Sequence, residues 1–312
     1  MPTRKSPRKG SLQFWPRKRA GKLLPRVNWN ALQSSKGLKG TICYKAGMAS
    51  AYVKDLTPNS MTKNKKISLP VTLFECPPLK IFSIRFYKDN KVICEILAEN
   101  LDKELKRDIK LPKKKGKKLE EIKDYEDIRV ICYSIVKKTN IKKKPDIVEI
   151  GLAGSIEEKL AFIKEHLNKE ISVSEIFENR QLVDFRGLTK GQGFSGPVKR
   201  FGINLKQHKS EKGVRRPGSI GPWHPAHVTF RVPMAGQLGM FTRITYNNKI
   251  IDMGKSEGKL KNIKNFGDIK TDYLIVAGSI QGPAKRQLLI TSPLRESKKQ
   301  RKEQFEFIGL AK

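Results

Sequence analysis

The stretch IFSIRFYKDNKVICEIL, residues 81–97, decides how the chain folds. Phe82, Ile84 and Phe86 recur at every second position, the period of a strand with one covered face, and Asp89-Asn90 supplies residues that suit a tight turn. The stretch predicts a β-hairpin. Working outward, GTICYKAGM (40–48) and VTLFEC (71–76) read as short buried strands, and IRVICYSI (128–135), IVEIGL (147–152) and QLVDFRG (181–187) continue the pattern. Strand signals resume in TRITYNNKIIDMG (242–254), with Asn247-Asn248 in its turn, then in DYLIVAGSI (272–280) and RQLLITS (286–292). One helix is well signalled: in SIEEKLAFIKEHL (155–167), Ser155 and Glu158 fit a capping box and Ile156, Leu160, Ile163 and Leu167 share a face. Ser172 and Glu175 cap a second, shorter helix ending near Asn179. The sum is a mainly β body with an α/β insertion, and no internal repeat is detected.

Around this body lies a strongly basic chain. Its 312 residues carry 65 Lys and Arg against 30 Asp and Glu, a formal +35. Such an excess repels itself in a compact monomer unless a polyanion neutralises it. Hydrophobic residues make up 38%, below an ordinary globular domain, and the mean hydropathy is −0.52, so some segments fold only on a partner. No apolar run long enough to span a membrane occurs, and MPTRKSPRKG lacks a following apolar segment, which predicts a cytosolic protein without a secretory signal. Cys43, Cys76, Cys94 and Cys132 lie in apolar runs with no CxxC pair and read as reduced core thiols.

The charge is unevenly spread. Residues 1–40 hold eleven bases and no acid, and residues 190–251 hold eleven more against the single Glu211. Residues 95–180 hold 18 of the acids and 20 bases, a net +2, leaving +33 elsewhere. The middle is therefore expected to face solvent or neighbouring proteins, and LPKKKGKK (111–118), followed at once by acids, reads as a solvated face. The two acid-free stretches interleave bases with aromatics, Phe14, Trp15 and Trp29 in the first and Phe194, Phe201, Trp223, Phe230 and Phe241 in the second. Their Gly and Pro residues forbid the apolar helical face of a membrane-surface segment. Residues 188–241 lack periodicity and form a loop far longer than a compact domain tolerates without function, one that borrows its shape from an external template.

Other chemistries find little support. GQGFSG (Gly191, Gly193, Gly196) matches a dinucleotide fingerprint, but it lacks a convincing strand before it, helix after it and acid downstream. MGKS (253–256) fails as a P-loop because Lys249 stands where the leading glycine belongs. In WHPAH, Pro225 separates His224 from His227 and disfavours a helix that would align them on a metal. Ser195 and Ser219 sit in basic loops without a nucleophile elbow, and the electropositive region lacks the paired carboxylates of a metal-dependent nuclease. No cofactor, metal, small-molecule substrate or catalytic residue is predicted. The stretches also lack a helix for a DNA groove. Irregular RNA suits them: bases pair with phosphates of apposed strands, glycines admit the main chain to narrow crevices, and rings stack on unpaired bases. The residues leave three classes open: a ribosomal structural component, a free-standing RNA chaperone or DNA-binding protein, and an RNA-processing enzyme such as a nuclease.

KGQGFSGPVKRFG (190–202), RRPGSIGPWHPAHV (215–228), AGQLGMFTRITYNNKI (235–250), CYKAGM (43–48) and the opening PRKGSLQFWPRKRA (7–20) narrow that choice. In order and spacing, over nearly the whole chain, they resemble the family of the third protein of the large ribosomal subunit, in its archaeal and eukaryotic form. The resemblance implies a non-enzymatic protein that binds large-subunit rRNA, assembles early, contacts neighbouring ribosomal proteins and resides in cytoplasmic ribosomes. It also implies a translation-factor-like closed β-barrel with long irregular basic extensions. The parts are then a basic N-terminal extension (1–40), the first part of the barrel (41–94), the α/β insertion (95–181), a barrel strand (182–190), a basic inward loop (191–241), and the remaining barrel with a C-terminal tail (242–312). By resemblance the loop runs toward the peptidyl transferase centre with Trp223 at its tip, and Phe14, Trp15, Arg17, Lys18 and Arg19 thread through rRNA. The expected rRNA-binding set continues with Lys190, Gly191, Gly193, Phe194, Lys199, Arg200, Phe201, Lys206, Lys212, Arg215, Arg216, His224, His227, Arg231 and Arg243. Family members often carry Tyr-His where this chain has Met240-Phe241, so no phenol or imidazole is carried over there, nor any histidine modification to His208.

Overall fold

The computed structural model describes residues 7–33, 37–112, 119–122, 124–139 and 141–311; most of the LPKKKGKK run lies outside them. In chain order the strands are β1 (Gly40–Asp55), β2 (Lys66–Cys76), β3 (Leu79–Lys88), β4 (Lys91–Leu97), β5 (Asp127–Ser134), β6 (Ile147–Gly151), β7 (Leu182–Leu188), β8 (Phe194–Ser195), β9 (Gly236–Gln237), β10 (Thr242–Lys255), β11 (Asp272–Ala277), β12 (Gln287–Thr291) and β13 (Phe305–Leu310). The α-helices are α1 (Ile156–His166), α2 (Pro197–Phe201) and α3 (Lys298–Lys302). The chain is mainly β. It divides into two compact units, one of Met1–Lys22 with Leu188–Thr242 and a larger one of Leu23–Gly187 with Arg243–Lys312.

In the larger unit one sheet runs β12-β7-β10-β11-β2-β1-β13, and β12 also pairs with β1, so the pairings return on themselves. Strand alternation gives this sheet two apolar faces. Cys43 of β1 joins Phe74, Val183, Phe185, Ile250, Leu274, Val276, Leu288 and Ile290 in one core cluster. Its neighbours Ile42 and Tyr44 point the other way and share a cluster with the second sheet. Phe74 and Phe185 stack with ring centroids 4.7 Å apart. Burial pushes the Cys43 and Cys76 thiols well up and that of Cys132 to about 12, which leaves them inert core groups. Cys94, on β4, is only half-buried.

The second sheet has the order β4-β3-β5-β6. Beyond Pro77-Pro78, β3 and most of β4, which fall in the part 41–94 expected to begin the barrel, lie in one sheet with β5 and β6, β3 pairing with β4 on one side and β5 on the other. The hairpin forms as expected, with Asp89 at φ +50° and Asn90 at φ +59°, the doubly left-handed turn that matches strand twist. Phe82, Ile84 and Phe86 nevertheless do not share a face. The β3–β5 register slips between Ile81 and Ser83, leaving Phe82 as an extra residue. It packs with Leu105, Ile131 and Tyr133, whereas Ile84 and Phe86 join the cluster that α1 covers through Ile163. Tyr44 ties the two sheets together: its hydroxyl donates to Asp146 Oδ2 (2.5 Å) and lies 2.8 Å from Ser134 Oγ.

Three further expectations change. Asn247-Asn248 is no hairpin turn but a kink within the continuous β10; Asn247 takes φ +55° and its N–H donates to Asp184 Oδ1. The helix expected after Ser172 is a single 3-10 turn, Val173–Glu175, because Val173 and Phe177 are both drawn into the core. The C-terminal segment read as a tail ends in β13, which pairs with the second half of β1. Among the described residues, no helix is long and apolar enough to cross a membrane.

Candidate nucleic-acid interface

The smaller unit is built around a long loop closed at its base. Thr189 N–H donates to Phe241 O (3.0 Å), Gln192 N–H to Leu238 O (3.0 Å) and Leu238 N–H to Gly193 O (2.9 Å), and β8 then pairs with β9. Gly239 is required here. It has φ +77°, and a Cβ would fall 1.9 Å from Lys190 O. Pro197 starts α2 and Gly202, at φ +65°, ends it after five residues. This short turn supplies no persuasive dinucleotide helix after GQGFSG.

Arg200 at the end of α2 fixes the returning chain, donating through Nε to Gln237 O (3.0 Å) and through Nη1 to Met234 O (2.8 Å). Beside it Phe201, only 8% exposed, is the local core. The guanidinium of Arg17 lies 4.6 Å from the Phe201 centroid and that of Arg200 5.1 Å. Gly10 lets the N-terminal arm close on the same ring, because a Cβ there would stand 2.5 Å from Phe201 Cδ1. Two more contacts hold the arm on the loop: Ala20 N–H donates to Met240 O (2.9 Å), and the Trp15 and Phe230 rings lie 4.9 Å apart. The expectation of a loop shaped wholly from outside therefore does not describe this base. From residue 203 to 228, by contrast, the hydrogen bonds among the described residues are local, such as Lys206 N–H to Val214 O and His227 N–H to Pro225 O.

The predicted residues separate accordingly. Lys18, Arg19, Lys190, Lys199, Lys206, Lys212, Arg215, Arg216 and Arg231 are exposed, as are Gly191, Gly193, His224, His227 and Phe14. Trp15 is 44% exposed, Phe194 81% and Trp223 86%. Phe201 has no free face, and Arg17 and Arg200 are partly buried. Arg243 falls in the larger unit, where its carbonyl accepts from Gln281 Nε2. Trp29, counted at sequence level with the aromatics of the basic arm, is 3% exposed in the main core, where Gly151 passes so close that a Cβ would meet it at 2.7 Å. Sequence reading missed Gly10, Gly239 and the partnership of Phe230 with Trp15. A glycine among bases marks the first; nothing local marks the last.

Electrostatics separate the units further. Among the described residues, every ion pair but Arg301–Glu296 lies between residues 80 and 170. No base of the smaller unit has a carboxylate partner there. Burial pulls the Arg17 guanidinium below its ordinary value, with repulsion from Arg8 adding to it. Arg200 is lowered in the same way, by burial and then by Arg17. Such a surface of uncompensated cations and open rings is suited to a phosphate backbone with unpaired bases.

Comparison with known proteins agrees. The pattern described as Ribosomal protein L3 matches residues 1–309. The chain is 41% identical over 306 residues to the large ribosomal subunit protein uL3 of Methanocaldococcus jannaschii, covering 93% of this chain and 91% of that one. It is 39% identical over 310 residues to the protein of the same name from Methanococcus vannielii, covering 93% and 91%. The corresponding Methanobrevibacter smithii protein is 40% identical over 313 residues, covering 94% and 93%. With its arm, its basic loop and nearly all of its strands inside that match, the chain belongs to the Ribosomal protein L3 family.

Proposed function

We propose that the chain is a structural, non-catalytic constituent of the large ribosomal subunit that binds large-subunit rRNA and works in the cytoplasm within the ribosome. The observation that carries this reading is a contrast in how charge is held: within the larger unit, residues 80–170 pair bases such as Arg85, Arg129 and Lys159 with carboxylates, whereas among the described residues the smaller unit has no such pair and leaves its bases to an outside polyanion. The returning pairings of β1, β2, β11, β10, β7 and β12 are read as a closed translation-factor-like barrel that anchors the protein, with the four-stranded sheet and α1 as an insertion turned toward solvent and neighbouring ribosomal proteins. The arm and the base of the loop form a preshaped foot for rRNA. Residues 203–228, with Lys206, Lys212, Arg215, Arg216 and Trp223, take their final course on RNA, reaching toward the peptidyl transferase centre early in assembly.

A nuclease is disfavoured by the absence of acids in the basic unit, whose single carboxylate is Glu211. Sedimentation tests the reading. Co-migration of the chain with large subunits through a high-salt wash is the expected outcome. Release into the free pool would favour an RNA chaperone, and metal-dependent turnover of purified rRNA would favour an enzyme.

A further inference from the structure

We propose that Arg17 and Arg200 together form one binding site for a single phosphate of the RNA backbone, at which RNA locks the N-terminal arm to the loop. The inference rests on the rRNA-binding reading and gives that reading a specific address. Both guanidinium groups sit on the Phe201 ring, at 4.6 and 5.1 Å from its centroid, so their charges are no farther apart than the sum of those distances. A ring can attract either cation, but it does not offset the repulsion between them. No acid occurs in Met1–Lys22, and Glu211, the only one in Leu188–Thr242, is exposed and forms no ion pair among the described residues.

The hydrogen bonds of the two guanidinium groups point to the same kind of ligand. Arg17 donates through Nη2 to Ser11 O (2.7 Å), while its Nη1 is buried without a partner among the described residues. Arg200 uses Nε and Nη1 on the carbonyls of Gln237 and Met234, which fixes the plane of its guanidinium, and its Nη2 meets no acceptor among the described residues. A buried guanidinium N–H without an acceptor is costly. An anion with several oxygens answers both guanidinium groups at once, and phosphate is the group that planar arginine forks recognise with two parallel bonds. Glycines keep the place open. A Cβ at Gly10 would stand 3.1 Å from Arg17 Nη2, and one at Gly236 would stand 2.9 Å from Arg200 Nη1. The exposed Lys18, Arg19 and Lys199 and the half-open Trp15 ring flank the site, which suits a polynucleotide better than an isolated ion.

The test is the salt dependence of binding between the full chain and a large-subunit rRNA transcript. Each protein–phosphate contact contributes about 0.7 to 0.9 to the slope of log affinity against log salt. Arg17→Gln and Arg200→Gln are each expected to lower that slope by about one contact and the affinity by roughly ten- to hundredfold. Because they share one phosphate, the double variant is expected to be no worse than either single one. Lys199→Gln combined with Arg17→Gln is expected to add. Arg17→Lys, which keeps the charge but not the fork, is expected to retain the slope while losing part of the affinity, and thermal melting of each variant separates a lost contact from a lost fold. Additive losses for Arg17→Gln and Arg200→Gln would overturn the shared site, as would slopes unchanged in both. Inorganic phosphate that saturates the chain without altering the RNA slope would mark a free-anion site and overturn the assignment to RNA. A wild-type affinity indifferent to salt would instead sink the rRNA-binding reading itself.

Discussion

Residues 80–170 and residues 188–242 both carry many lysines and arginines, yet they hold them in opposite ways. In the first region Arg85 reaches Glu95 at 2.8 Å and Glu149 at 2.9 Å, Arg129 reaches Asp127 and Glu149, and Lys159 closes on Asp127 at 2.6 Å. In the second, the hydrogen bonds of Arg200 go to backbone carbonyls and the surrounding bases face outward. The aromatics follow the same division: Phe74 and Phe185 stack inside a core, whereas Phe194 and Trp223 lie open. Net charge alone therefore says little about a surface. Where the counterions sit says whether a region completes itself or waits for a partner.

Three substitutions sharpen that contrast. Phe185→Ala removes a ring from the self-contained core and is expected to destabilise the chain by about 3–5 kcal/mol, read by chemical denaturation. A loss below about 1 kcal/mol would mean that this core is far looser than its burial indicates. Asp127→Asn breaks the ion-pair network at its centre, with an expected loss of about 1–3 kcal/mol at neutral pH. Burial raises the Asp127 carboxyl, but the hydrogen bond and charge of Lys159, then those of Arg129, outweigh it and hold the group below the ordinary aspartate value. Its contribution is thus present above about pH 4 and is lost as pH falls through the lower folded value. The wild-type melting temperature should drop across that acid range, and Asp127→Asn should flatten the drop. Trp223→Ala is expected to leave stability within about 0.5 kcal/mol while impairing translation by ribosomes that carry it, since a ring stacked on a base contributes about 1–3 kcal/mol. A large fall in melting temperature with normal translation would erase the distinction between the two regions.

The parts of this fold that a reader of the sequence can find are those decided by neighbours in the chain. Asp89-Asn90 is legible as a turn because both residues tolerate the left-handed region and the flanking strands are short. Asn247-Asn248 carries similar chemistry and turns out otherwise, because Asp184 captures the Asn247 N–H and β10 runs on. Phe82 misleads for a related reason: its face depends on a slip against β5, whose partner residues lie far along the sequence. In the candidate site, the bases, glycines and open rings of residues 190–231 are visible as composition, and family motifs identify them. The arm's grip on the loop is not visible. Gly10 over Phe201 and Trp15 beside Phe230 are contacts between distant segments that no periodicity encodes.

The three tryptophans also make the protein its own optical probe. Trp29 is sealed in the main core, and Trp15 and Trp223 are open to water in the basic unit. Blue-shifted emission that resists acrylamide therefore belongs to Trp29, and red-shifted, quenchable emission belongs to the other two. A titration with nucleic acid followed by fluorescence can watch the basic unit engage while the sealed indole reports, in the same cuvette, that the body stays folded.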